Sequence, residues 1–360
     1  MRKLASIQVI DSIVPIEGAD KIELVKVLGW QCVTKKGEFS VGDLCVYIEI
    51  DSILPDKEEF DFLLSRKFRI RTIKLRKQLS QGICFPLSIL PDNIDADVDV
   101  DVTDVIGVKK YDPEEIKGKE FNPTTNRKVR TFPTLLVRKT GEPRIQSIYA
   151  RLVPLLEGKR CYISEKIDGT SATFVKHNKE YFVCSRNNTV KYFKFDWWSV
   201  LKNALFSGGE PTYKDVYNKI NDQLSIQTKM IALKSNYAVQ GEIYGPAIQK
   251  NKLCEKSVNF KIFNVYDIDA KKYLNYKEFI SFCGALHIPT VDIITDNFVF
   301  NSQVHTLDYL LEMATGNYKN TKNPREGIVI RPIDDFYCNA LQMRMSFKVI
   351  NNEFLLKDKG

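Results

Sequence analysis

The sequence predicts an α+β chain in two unlike parts, a small antiparallel β-barrel followed by a larger domain of antiparallel strands and helices. Two observations carry this reading. Residues 4–90 hold several short apolar runs separated by glycine turns. From about residue 128, stretches with a helical apolar period alternate with strand-like runs. Between them, residues 92–126 are charged and punctuated by Gly107, Pro113, Gly118 and Pro123.

In chain order, Leu4–Pro15 reads as a first strand, broken by Pro15 and Gly18. Ile22–Leu28 alternates, Gly29 interrupts and Trp30–Thr34 resumes, before turns at Lys36-Gly37 and Val41-Gly42-Asp43. Leu44–Ile50, Phe68–Leu75 and Ile83–Leu87 complete a set that suggests a barrel of OB type. Arg66–Lys77 is read as one extended basic strand, with Arg69, Arg71, Lys74 and Arg76 along it and Phe68 and Ile70 turned inward. Two readings of it stay open: a solvated edge protected by charge, or a stripe that follows a phosphate backbone. Next, Asp95, Asp97, Asp99, Asp101 and Asp104 alternate with small apolar residues, as in a connector that could include one acidic strand. The spacing lacks the central glycine and closing glutamate of an EF-hand.

In the second part, Ser147–Leu156, Lys194–Leu205, Asp215–Leu233, Tyr276–Leu286 and Asp308–Gly316 read as helices. Cys161–Ile167, Ala172–His177, Tyr181–Ser185, Tyr237–Ile243, Asn259–Asp267, Gly327–Arg331 and Leu341–Ile350 read as strands. The expected organisation is a barrel over 1–106, a linker over 107–127 and a second domain over 128–360.

Composition narrows the function. The 360 residues, 44% hydrophobic and 11% aromatic, describe a globular protein with no run long enough to span a bilayer. The first residues enter a strand pattern directly, without the apolar core of a signal peptide. Eight cysteines stand singly, with no C-x-x-C, and three histidines lack ligand spacing. This favours reduced thiols in a cytosolic or nuclear compartment over a disulfide frame or zinc centre, and gives no support to a histidine-paired hydroxyl nucleophile. The net charge of +8 points to a polyanion, nucleic acid or nucleotide, as partner.

The chemistry centres on Ser164-Glu165-Lys166-Ile167-Asp168-Gly169-Thr170, which contains K-x-D-G. Alone, this reads more readily as a solvated strand-end lysine beside an Asp-Gly turn. Five later clusters change its weight: Cys184–Asn187 with Arg186, Val239–Pro246 with Glu242, Phe263–Asp267, Pro324–Arg331 with Glu326, and Ser346–Ile350 with Lys348. Singly, each has a structural explanation. Jointly they supply an amine nucleophile, carboxylates for a divalent metal, cations for phosphates and an aromatic for a base. A lysine amine attacks only when neutral, so a depressed pKa is expected at Lys166. A hydrated Mg2+ held by Glu242 and Glu326 would depress it and stabilise charge on an α-phosphate. No Walker-type phosphate loop occurs.

The ordered set K-x-D-G, S-R-N, G-E-I-Y-G-P, F-x-V-Y-D, E-G-I-V-I-R, S-F-K-V resembles the covalent nucleotidyltransferase superfamily. Within it the chain is most similar to RNA ligases of the Deinococcus radiodurans and Naegleria type. Ile16–Glu23, Lys35–Phe39, Tyr47–Pro55 and Leu79–Gly82 resemble that family's N-terminal OB module, and Lys139–Gln146 its lead-in to the ligase domain. The resemblance implies an adenylyltransferase domain, an ATP-grasp-like ligase fold of antiparallel sheets and helices. It also implies three-step sealing of a 5′-phosphate to a 3′-OH, in RNA or an RNA-containing duplex, by a monomer. Lys166 would take AMP from ATP, and Asp168, Glu242 and Glu326 would hold Mg2+ or Mn2+. Phe263 would stack on adenine, Glu165 would meet its amino group, and Arg144, Arg186 and Lys348 would contact phosphates. Many relatives carry K-x-K in the last motif, whereas Ser346 and Ile350 stand two residues either side of Lys348. Ser171 occupies the place of the arginine in the K-x-D-G-x-R of DNA ligases. A DNA ligase, a capping guanylyltransferase and a non-catalytic OB-type RNA-binding protein are the competing readings.

Overall fold

The computed structural model of the chain describes residues 3–111, 130–194 and 215–357. Two small antiparallel sheets form the N-terminal barrel. Ala5–Val9 pairs with Leu44–Ile48, which pairs with Ile83–Pro86. Ser12–Pro15, Ile22–Val27 and Trp30–Lys35 form the other. Ile7, Val25, Val27, Trp30, Val46 and Tyr47 meet in the core between them. The acidic run does provide an edge. Asp99 N donates to Ile7 O, Ile7 N to Val100 O and Val102 N to Ala5 O, so that segment lines the first strand while Val102 fills the core.

Two expectations for this part need correction. Lys109–Lys110 pairs antiparallel with Ser52–Ile53, so residues expected to open the linker belong to the barrel's periphery. Residues 112–127 lie outside the described ones. Arg66–Lys77 is not one extended strand either. A 3-10 helix, Glu58–Arg66, ends with Lys67 and Phe68 in the left-handed region, and Ile73–Leu75 and Gln78–Ser80 form a tight hairpin across Arg76-Lys77. Arg69 is therefore buried, 3.6 Å from Asp51 and with its guanidinium 3.4 Å from the Tyr111 ring centroid. Arg71 is half-buried, whereas Lys74 and Arg76 are exposed on the hairpin.

The second domain places two antiparallel sheets around a cleft. One runs in the order Ile293–Val299, Arg160–Lys166, Gly327–Pro332, Phe347–Ile350. The other has seven strands, centred on Thr170–His177, Tyr237–Tyr244 and Asn259–Asp267. Helices Ile145–Leu156 and Leu307–Met313 bury Ile145, Leu152 and Leu310 with the first sheet's Ile163, Ile328 and Val349. Helix Tyr276–Leu286 covers the second with Phe279, Cys283 and Leu286, spaced four and three apart as one helical face requires. Asn275 and Glu278 close a reciprocal capping box at its start. The helix expected over 215–233 is two, Val216–Gln223 and Ile226–Ile231, because Ser225 adopts a left-handed backbone at φ 50°. Lys194–Leu205, read as a helix, lies outside the described residues apart from Lys194, which ends a strand.

The two domains are bolted together beside the cleft. Gly29 N donates to Gln146 O at 2.9 Å, and a Cβ at Gly29 would stand 2.8 Å from the Gln146 Cα, so only glycine fits this hairpin tip. Trp30 Nε1 donates to Ser147 Oγ, which donates to Glu49. All eight cysteines are free, and only Cys254 is exposed. No described helix is long and apolar enough to cross a membrane.

Candidate active site

K-x-D-G is the crossover between the two sheets. Lys166 ends the strand Arg160–Lys166 opposite Gly327, and Thr170 begins the strand that pairs with Tyr237–Tyr244. That register sets Glu326 beside Lys166, and the Lys166 Nζ donates to Glu326 Oε2 at 2.7 Å. Ser171 pairs with Glu242, which brings the other glutamate to the same turn. Gly169 permits this approach, since a Cβ there would meet Ile243 O at 2.3 Å. Gly327, at φ 150°, is similarly pressed against Val349 O. Tyr318 ties the turn together: its hydroxyl donates to Lys166 O at 3.2 Å and accepts from Asp168 N at 2.9 Å and Glu326 N at 3.1 Å.

The cleft that opens here is lined by Glu165, Lys166, Arg186, Glu242, Phe263 and Lys348, all residues expected from sequence. Asp168 and Glu326 stand next to it through their ion pairs with Lys252 (2.9 Å) and Lys166. Phe263 is half-buried against Ile167 and Val291. Burial raises the Glu165 carboxyl and Asp292 raises it further.

Charge in the cleft is crowded. Burial, then Glu326 and Asp168, push Glu242 up to about 8, against the pull of Lys166 and Arg186. Burial and Glu326 push Asp168 up to about 6, against Lys252. The expected depression at Lys166 is reversed: burial lowers its pKa, but Glu326 and Glu242 outweigh burial and hold it above the ordinary lysine value. As it stands the amine is an ion-paired ammonium, held by Glu326 with Glu242 and Asp168 close by.

Two expectations change at the phosphate end. Arg144 is buried and outside the cleft; its Nη2 donates to Asp51 Oδ2 of the barrel at 2.6 Å. The place of a second lysine, Ser346, is tied to an arginine missed from sequence. Arg331, 1% exposed, donates from Nε to Ser346 Oγ and from Nη2 to Glu142 Oε1, each at 2.9 Å, and lines the cleft with Lys348. Burial works to raise the Glu142 carboxyl, yet Arg331 and Lys348 bring it down to about 2. The signal available was Arg331 at an inward position of an apolar strand. Lys252 and Tyr318 gave none, since both sit in loops without a motif.

An amine, three carboxylates, cations and an aromatic face thus converge where a nucleotide's phosphates and base can lie. A family model for an OB-fold domain matches residues 4–87, and one for RNA ligase matches residues 159–350. None of the curated proteins matches the chain. Among solved structures, a Naegleria gruberi RNA ligase with PPi is 31% identical, with 100% of this chain and 99% of that one covered and a TM-score of 0.82. A variant of that ligase with ATP and Mn is 30% identical over 98% of both chains, TM-score 0.80. Another variant, with AMP and Mn, is 31% identical over 98% of both, TM-score 0.80. The matched residues hold the K-x-D-G crossover, both sheets and the paired glutamates, and the chain belongs to the RNA ligase family.

Proposed function

We infer that this RNA ligase is ATP-dependent and works through AMP held on Lys166, sealing a 5′-phosphate to an RNA 3′-OH at nicks in duplexes, as a monomer. The observation that carries the reading is the Lys166 amine, 2.7 Å from Glu326 and in one cleft with Phe263, Arg186 and Lys348. In the first step the amine, its extra proton released to solvent, attacks the α-phosphorus; an N–P bond forms, the P–O bond to pyrophosphate breaks, and a second nitrogen proton leaves to solvent with the pyrophosphate. The RNA 5′-phosphate then displaces the lysine and takes the AMP. Finally the 3′-OH attacks that activated phosphate and AMP leaves. Phe263 offers a face to adenine and Glu165 an edge acceptor, while Arg186, Lys348 and Arg331 face the phosphates. The N-terminal barrel, with Lys74 and Arg76 exposed on its hairpin, adds nucleic-acid contacts.

Asp168, Glu242 and Glu326 fit a divalent cation, Mg2+ or Mn2+. Their mutual repulsion contributes, after burial, to lifting Asp168 to about 6 and Glu242 to about 8. Among the described residues no three acid, histidine or cysteine side chains close around one point, so this reading requires waters between the ion and the carboxylates. When bound, such an ion cancels the carboxylate field that keeps Lys166 protonated and draws charge from the α-phosphate.

The test is incubation with Mg2+ or Mn2+ and α-labelled ATP or GTP. Label from ATP that survives denaturation and alkali but leaves in acid is the expected phosphoramide; labelling by GTP alone contradicts the ligase reading. Nicked duplexes with RNA or DNA 3′-OH strands then decide the acceptor.

A further inference from the structure

A second cavity adjoins the nucleotide cleft, and Thr140, Gly141 and Glu142 line both. Its lining combines aromatic rings with cations. Tyr266 and Tyr273 meet edge to face at 5.0 Å, and the Arg344 guanidinium stacks 3.9 Å from the Tyr273 ring centroid. Tyr337, 44% exposed, has the Arg138 guanidinium 5.4 Å from its centroid. Lys139, Lys271 and Lys272 add three more exposed cations. The two acids in the lining are already paired, Glu142 with Arg331 and Asp335 with Arg344. Lys272 also stands 3.7 Å from Glu278, so Arg138, Lys139 and Lys271 carry most of the cavity's net positive charge.

One exposed ring, Tyr337, beside the half-buried Tyr266 and Tyr273 and a row of cations suits a flexible polynucleotide strand: a base can stack on the ring, and its phosphates meet the cations. The strand Asn259–Asp267 links the two places. Its pairing with Tyr237–Tyr244 skips Phe263, which lines the nucleotide cleft, while Asn264 and Tyr266 line the second cavity. A chain lying in this groove would lead into the cleft across Thr140–Glu142. We propose that this groove is a subsite for the RNA strand, stacking bases on Tyr337 and neighbouring rings and holding phosphates with Lys271 and Lys272. It rests on the RNA ligase reading and extends it to a surface that the adenylylation chemistry leaves unused.

The test uses the full chain with Tyr337→Ala, with Lys271→Ala plus Lys272→Ala, and with all three. Binding of a labelled single-stranded oligoribonucleotide is followed by anisotropy across salt concentrations, beside lysine adenylylation and nick sealing. The triple variant is expected to bind the strand about tenfold or more weakly and to need more RNA for half-maximal sealing. Its affinity should also depend less steeply on salt, because two phosphate contacts are gone. Lysine adenylylation should stay at the wild-type rate. Wild-type RNA affinity in a variant that still adenylylates overturns the groove. So does a loss confined to adenylylation, which would make these residues part of the nucleotide cleft. A wild type that forms no lysyl-AMP contradicts the ligase reading instead, and the RNA affinities still decide for or against the groove.

Discussion

The barrel and the cleft both gather basic side chains around acids, and they do so with opposite results. At the domain junction one acid serves two arginines: Asp51 meets Arg144 at 2.6 Å and Arg69 at 3.6 Å, with both guanidinium groups nearly buried. In the cleft three acids share two lysines, Lys166 on Glu326 and Lys252 on Asp168, and Glu242 is left pushed up to about 8 by burial and its neighbours. The first arrangement is a structural tie between domains. The second is strained by like charge, so any cation that enters is welcomed, and such strain is typical of sites that work. The contrast separates charges that hold the fold from charges that wait for a ligand.

The sharpest break of that contrast is at Glu326. Glu326→Ala removes the lysine's partner and one acid of the metal set, so lysine adenylylation falls by about 10²-fold or more in single-turnover assays while the fold survives. Glu242 gives the next effect, through pH. A divalent ion must displace the proton that Glu242 keeps up to about 8, so the metal concentration for half-maximal adenylylation rises as pH falls below that value, by up to about tenfold per unit. The same shift acts on stability. The unfolded carboxyl gives up its proton near its ordinary 4.5 and the folded one near 8, so stability declines as pH rises between them. Glu242→Gln, melted at pH 8 with chelator, is expected to gain about 2–4 °C in Tm and to lose adenylylation.

At the junction the order of effects inverts. Asp51→Ala strands two arginines and costs about 2–4 kcal/mol in denaturant unfolding, while the folded fraction adenylylates far better than Glu326→Ala. If both variants lost activity equally, the division between tie and site would fail. The smallest effect is at the exposed hairpin. Arg76→Ala should leave stability within about 0.5 kcal/mol and lower RNA affinity only a few-fold.

How far the sequence could be read follows the same division. Lys166, Glu242 and Glu326 were legible because each is a charge in, or at the edge of, an apolar strand, and antiparallel pairing then brings those places together. The helix Tyr276–Leu286 and the strand Asn259–Asp267 were legible to the residue, each with a regular period. What sequence hid were partnerships across the fold. Arg69 and Arg144 looked like phosphate contacts, and nothing local showed that both converge on Asp51. The basic run 66–77 alternated like a strand, but the left-handed backbone at Lys67 and Phe68 breaks it. The direction of the Lys166 shift was also hidden, since it depends on how many carboxylates the fold assembles before a metal arrives.

The central claim is that Lys166 is the nucleophile. Its direct measurement is the intact mass of the protein after incubation with ATP and Mg2+, followed by peptide mapping. The account predicts a gain of a single AMP, carried on the peptide that contains Lys166 and absent from Lys166→Ala. A gain that persists in Lys166→Ala, or that maps to another lysine such as Lys252, would contradict it.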